Sequence, residues 1–155
     1  MKNIFDFFAT GFAISLLPAH ILKGHKNTGA GFLGTLLAVP LAVFFMPYFW
    51  IWQTIFVLLF ILFAVWITSK TSFEGHDSPK IVIDEIAGYF AAVAFLPRTV
   101  EIIIAAFILF RIFDWLKPFF IKRLDNIKSA WGVVLDDVAS GFLANIILQI
   151  IFLIL

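Results

Sequence analysis

The sequence predicts an all-α, integral membrane helical bundle of about five to six helices, a single domain over residues 1–155 with an acidic site at its cytoplasmic face. Three observations predict it. Hydrophobic residues make up 63% of the chain, against roughly 45 to 50% in a soluble domain, and the mean hydropathy is +1.06. No charged side chain lies between Lys26 and Lys70, a stretch about twice the ~20 residues that one helix needs to cross the hydrocarbon. Finally, five acids, Asp84, Glu85, Asp114, Asp136 and Asp137, fall in or beside apolar segments, and once the helices are assigned they gather toward one end of them, which follows from the fold reading and locates the acidic site.

Composition excludes several classes at once. Lys and Arg number 11 against 10 Asp and Glu, a formal net charge of +1, so there is no electrostatic footprint for nucleic acid. With no Cys, disulfides, thiolate zinc sites and cysteine nucleophiles are all removed.

The elements follow in order. The N-terminal stretch carries Phe5, Phe7, Phe8 and Phe12 but is interrupted by Asp6 and Gly11. It reads as retained, since no small-residue cleavage site follows an apolar core, and as a helix that lies in the interface, enters partway or crosses fully. The charge-free stretch holds two crossings, about Phe32 to Met46 with a kink or a packing contact at Pro40, and about Phe49 to Ser69, with Pro47 and Tyr48 at the turn. Ile81 to Leu96 and Glu101 to Asp114 form a hairpin around Pro97 and Arg98, with Ser78 as N-cap and Pro79 as the first helical residue of its leading arm. Pro118 then bends the chain away, and Val133 to Leu155 forms the last helix. If these helices alternate, Lys23, Lys26, Lys70, Lys80, Lys117, Lys122, Arg123 and Lys128 share one side while Arg98 marks the other, so the first side is cytoplasmic.

The acids carry the chemistry. A charge well inside a spanning helix costs roughly 2.5 to 3.5 kcal/mol on insertion scales, and two unit charges 4 Å apart repel by about 4 kcal/mol at an effective dielectric near 20. Converging carboxylates therefore call for a divalent cation. His20, His25 and His76 sit in loops away from the acids, so the ligands are hard oxygens, which favour magnesium or manganese over zinc. Magnesium completes its octahedron with water and phosphate oxygens, which points to phosphate chemistry. Spacing supports an inward face: Asp137, Gly141 and Asn145 form a stripe at intervals of four, and Asp84 with Gly88 repeats it. Arg111 and Asp114 share a face, as do Asp114 and Lys117. Blander readings stand beside these. Arg111 with Asp114 also reads as a plain intrahelical ion pair, and Asp136 with Asp137 as acids favoured by a helix N-terminus.

Gly29, Gly31 and Gly34 fit G-x-G-x-x-G, yet no strand precedes them and no acid follows at the ribose-binding distance, so a dinucleotide fingerprint fails. Two readings remain: a phosphate met by backbone N–H groups at a helix start near Lys23 and Lys26, or close helix packing through Gly31, Gly34 and Ala38.

Three blocks together carry a family resemblance. Asp84-Glu85-Ile86-Ala87-Gly88, then Phe110-Arg111-Ile112-Phe113-Asp114-Trp115-Leu116-Lys117-Pro118, then Asp136-Asp137-Val138-Ala139-Ser140-Gly141 are similar in order and spacing to the signature blocks of the phosphatidylglycerophosphatase A family. Gly31-Phe32-Leu33-Gly34-Thr35 resembles that family's N-terminal Pro-Gly-Thr segment, with Ala30 where proline is usual and Phe32 where threonine is usual.

The resemblance implies a magnesium-dependent phosphatase of the bacterial inner membrane that converts phosphatidylglycerophosphate, a membrane phospholipid, into phosphatidylglycerol. Under it, Asp84, Glu85, Asp114, Asp136 and Asp137 are expected to hold Mg2+, with Asp84, Asp114, Asp137, Arg111 and Lys117 catalytic and Lys80, Gly31, Gly34 and Thr35 contacting substrate. The nucleophile is a water or a carboxylate that forms an aspartyl-phosphate; the residues leave both open. A CDP-alcohol phosphotransferase would show D-G-x-x-A-R followed by G-x-x-x-D-x-x-x-D, which is absent. A small cation or proton transporter would place its acids near the midplane rather than beside Lys and Arg at one face.

Overall fold

The computed structural model describes residues 3–17, 29–73 and 78–154, and among these every regular element is a helix. There are seven: α1 (Ile4–Ala9), α2 (Ala30–Phe45), α3 (Trp50–Lys70), α4 (Ile83–Val93), α5 (Val100–Leu116), α6 (Phe119–Asp125) and α7 (Ala130–Ile154).

The apolar runs form the long elements. α2 starts after Gly29, whose φ of 71° places it in the left-handed region, and it runs through Pro40 without a break. α3 and α7, with 21 and 25 residues, are long and apolar enough to cross a membrane, and at 1.5 Å per residue they span about 31 and 37 Å. α5 opens on a Thr99 cap that accepts from Ile102 N–H at 3.5 Å. It closes at Lys117, which adopts φ 41° and donates its N–H to the Phe113 carbonyl; Pro118 follows and prevents continuation.

Three details differ from the sequence reading, each for a tertiary or local reason. α4 begins at Ile83 rather than at Pro79. The Ser78 carbonyl instead accepts from Ile81 N–H, the Ser15 hydroxyl donates to the Lys80 carbonyl at 2.6 Å, and Val82 N–H donates to the Ala9 carbonyl at 2.8 Å. These bonds to α1 and its following turn hold residues 78–82 out of the helix. Asp84 and Glu85 therefore occupy the first turn of α4 rather than lying two turns in. α7 conversely starts at Ala130, ahead of Val133, so Asp136 and Asp137 lie about two turns inside it rather than at its opening. The third difference is α6, seven residues that no apolar pattern announces; Pro118 both stops α5 and supplies the cap for this short helix.

α4 lies at the centre. Nearly all of it is buried, Tyr89 and Phe90 included, packed chiefly against α7 and also against α2, α3 and α5. Its contact with α7 is backbone to backbone: a Cβ at Gly141 would overlap the Gly88 carbonyl, and one at Gly88 would meet the Asp137 carbonyl and the Phe110 ring. Asn145 locks the same crossing by donating to the Ala92 and Ala94 carbonyls at 3.0 and 2.7 Å. The small and polar stripe therefore faces inward. Outward faces are apolar, with Phe44, Trp50, Trp52, Leu59 and Leu62 exposed.

Candidate active site

The α4–α7 crossing determines where the acids meet. Two glycines let the helix axes approach closely enough that the first turn of α4 faces the second turn of α7. One carboxylate oxygen each from Asp84, Glu85 and Asp137 then lies within 4.8 Å of the others. Asp84, Asp136 and Asp137 are only 6%, 3% and 5% exposed. Glu85 N–H donates to Asp84 Oδ1 at 3.1 Å. Glu85 Oε2 and Asp136 Oδ1 are buried and without a hydrogen-bond partner.

Two cations border this group. Arg111 Nη1 contacts Asp114 Oδ2 at 2.8 Å and donates to Thr35 Oγ1 at 3.4 Å, while the Thr35 hydroxyl donates to the Gly31 carbonyl at 2.9 Å. A Cβ on Gly31 would overlap Glu85 Oε1 and crowd Arg111 Nη1. Glycine at that position is thus what lets α2 close on the acids. On the other side Lys117 Nζ donates to Asp125 Oδ1 at 2.5 Å and to Asp136 Oδ2 at 2.6 Å. Burial works against this ammonium, but its bonds to Asp125 and Asp136 outweigh that and hold its pKa above the ordinary lysine value. It carries its charge throughout the physiological range.

The groups surround a cavity of about 70 Å³ lined by Asp84, Glu85, Asp114, Lys117, Asp125, Val133, Asp136 and Asp137. All five acids anticipated from sequence therefore reach one cavity. They divide by partner: Asp84, Glu85 and Asp137 form the close trio, Asp114 is held by Arg111, and Asp136 by Lys117. Of the expected substrate contacts, Gly31 and Thr35 adjoin Arg111. Gly34 packs on Val82, and Lys80 is exposed with its ammonium 5.4 Å from the Phe73 ring centre. His20, His25, His76, Lys23 and Lys26 lie outside the described residues. Gly34 against Val82 and the burial of Ala38 agree with the packing reading of the glycine run.

Asp125 is the residue that sequence reasoning missed. It stands eight positions beyond Lys117, which is itself left-handed and is followed by a proline, so no helical spacing relates the two. A separate cavity of about 290 Å³ lies against Ile83, Ile86 and Phe90. Its lining is apolar and offers no reactive group.

The donor set fits a hard divalent cation. Three carboxylates packed this closely repel strongly unless an ion lies between them, all donors are oxygens, and the buried Glu85 Oε2 is left without any other partner. With a cation between acids and an arginine and a lysine at the margins, the arrangement can grip a phosphoryl group and stabilise charge on its oxygens.

Comparison with known proteins gives one family. The profile described as "PgpA: Phosphatidylglycerophosphatase A" matches residues 7–152. A Bacteroides thetaiotaomicron protein carrying the provisional name phosphatidylinositol-3-phosphatase is 35% identical, covering 83% of this chain and 86% of the relative. Proteins named phosphatidylglycerophosphatase A from Haemophilus influenzae and Escherichia coli K12 are 34% and 31% identical, over 95% and 97% of this chain and 88% and 85% of their own. No solved structure matches the chain.

Proposed function

Because the chain belongs to the phosphatidylglycerophosphatase A family, we propose that it is a magnesium-dependent lipid phosphatase. It hydrolyses the terminal phosphomonoester of phosphatidylglycerophosphate to give phosphatidylglycerol and phosphate. The observation that carries this reading is the meeting of Asp84, Glu85 and Asp137 within 4.8 Å, in a cavity bordered by Lys117 and by the Arg111–Asp114 pair.

In this reading Asp84, Glu85 and Asp137 hold the magnesium, which when bound would offset most of their charge and polarise the phosphoryl group. Asp114 fixes the Arg111 guanidinium so that its remaining N–H groups face two phosphate oxygens. Lys117 has three N–H donors. Asp125 and Asp136 take two, which leaves one for phosphate. Gly31 and Thr35 shape the Arg111 side of the site, and neither Lys80 nor Gly34 is needed.

The same reading makes the chain a multi-pass protein of a bacterial cytoplasmic membrane with its site toward the cytosol. Lys70, Lys80, Lys117, Lys122, Arg123 and Lys128 belong to the acidic end by helix alternation and Arg98 to the other. Arg98 bonds the Val43, Met46 and Pro47 carbonyls there.

The test is phosphate release by the purified protein in detergent from phosphatidylglycerophosphate, with magnesium or with chelator. Release is expected only with magnesium. Asp84→Asn and Asp137→Asn are each expected to lower it by more than about 100-fold, beyond the usual effect of losing an outer-shell partner, with helical content unchanged by circular dichroism. The Bacteroides relative's name favours a second substrate, so phosphatidylinositol 3-phosphate belongs in the same assay; faster release from it would reassign the substrate, and full activity in chelator would remove the metal.

A further inference from the structure

The cavity is lined by more carboxyl groups than one divalent ion engages. Its walls hold six carboxylates, from Asp84, Glu85, Asp114, Asp125, Asp136 and Asp137, against two cations, Lys117 and the Arg111 that pairs with Asp114. With all six ionised, six against two would leave a surplus of four. One ion in the trio cancels half of it, and an incoming phosphate would add more negative charge.

The second observation is Asp136. It is 3% exposed, and while Oδ2 binds Lys117, Oδ1 is buried with no hydrogen-bond partner although the residue lines the cavity. Adjacent helix positions diverge by about 100°. Asp136 and its neighbour Asp137 thus do not present their carboxyls in one direction, and Asp136 stands outside the trio whose ligand atoms lie within 4.8 Å of one another. The orphaned oxygen needs a partner of its own. The cavity that Asp136 lines, about 70 Å³ in all against about 30 Å³ for each water in the liquid, has room for an ion.

From these observations we infer that the cavity binds two divalent cations, one on Asp84, Glu85 and Asp137 and a second on Asp136 through Oδ1. By bonding Oδ2, Lys117 places its positive charge beside Oδ1 and so weakens the second site relative to the first. A second cation at Asp136, beside Lys117, would add positive charge on that side of the cavity for an incoming phosphoryl group. The inference deepens the phosphatase reading and rests on it for the role of the ions, but their number is measured without substrate.

The experiment is a Mn2+ titration of the purified full chain in detergent, with free Mn2+ read by electron paramagnetic resonance and bound metal checked by equilibrium dialysis. Two Mn2+ per chain are expected for the wild type, one of them weaker. Asp136→Asn is expected to bind one. Lys117→Gln, which keeps the Asp136 carboxylate and removes the opposing charge, is expected to bind two with the weaker site tightened about tenfold. One Mn2+ per wild-type chain would overturn the inference whether or not either variant folds, as would two in Asp136→Asn or an unmoved weak site in Lys117→Gln. A single ion together with magnesium-dependent phosphate release would sink the second cation alone; no bound ion and release in chelator would sink the metal-based reading as well.

Discussion

α3 and α4 invert the rule that water imposes on proteins. α3 has no acid and a lysine only at its last residue, yet its Trp50, Trp52, Leu58, Leu59 and Leu62 stand exposed. α4 carries two adjacent acids and is nearly all buried. In water the greasier helix would lie inside, because apolar burial is worth roughly 25 cal/mol per Å², and a contiguous apolar surface of this kind marks a lipid or protein interface. The difference teaches that apolarity decides little about position here. Small residues that allow close backbone approach, and polar groups that need partners, decide which helix goes to the centre.

That comparison can be broken from the α4 side. Gly141→Val is expected to give the largest effect, because any Cβ there overlaps the Gly88 carbonyl and backbone cannot step aside. A loss of about 3 kcal/mol, the upper end of ordinary overpacking, should show in detergent denaturation. Phosphate release should fall with it, since Asp137 would move away from Asp84. Retained activity with unchanged stability would mean that the crossing is looser than described. Asn145→Ala comes next: two carbonyls, of Ala92 and Ala94, lose their donor, at a cost of about 1 to 3 kcal/mol, with metal binding still intact. The smallest effect belongs to α3, where Leu59 is 61% exposed. Leu59→Ala should change stability in detergent by less than about 0.5 kcal/mol, and a loss as large as that of Asn145→Ala would show that this face is covered by protein.

The elements differ in how readable they were. α2, α3, α5 and α7 stand close to their expected limits because long apolar runs bounded by charges and prolines leave few alternatives. α4 was misread at its start: Ser78-Pro79 is a sound local helix signal, but the Ala9 and Lys80 backbone bonds lie across the fold and no local pattern contains them. α6 is too short to show a period, and Asp125 went unseen with it.

For the site, the acids and basic residues of the three blocks were legible as residue types at helical spacings, and the Asp137–Gly141–Asn145 stripe pointed inward as it does. Their division of labour was not. Lys117 and Asp114 would share a face had α5 continued, but the left-handed turn at Lys117 swings the ammonium to Asp125 and Asp136 instead.

By itself, then, the amino-acid order determined the helical character of the described residues, the rough limits of the long helices, and which acids fall in or beside apolar segments, since these follow from apolar run length and the cost of charge in apolar surroundings. Only the tertiary structure decided which acids face one another and which are taken up by lysine and arginine. Such pairings depend on where two backbones touch, at Gly88 and Gly141, and on a turn that redirects one side chain by a few ångströms, distances that spacing along a single helix does not encode.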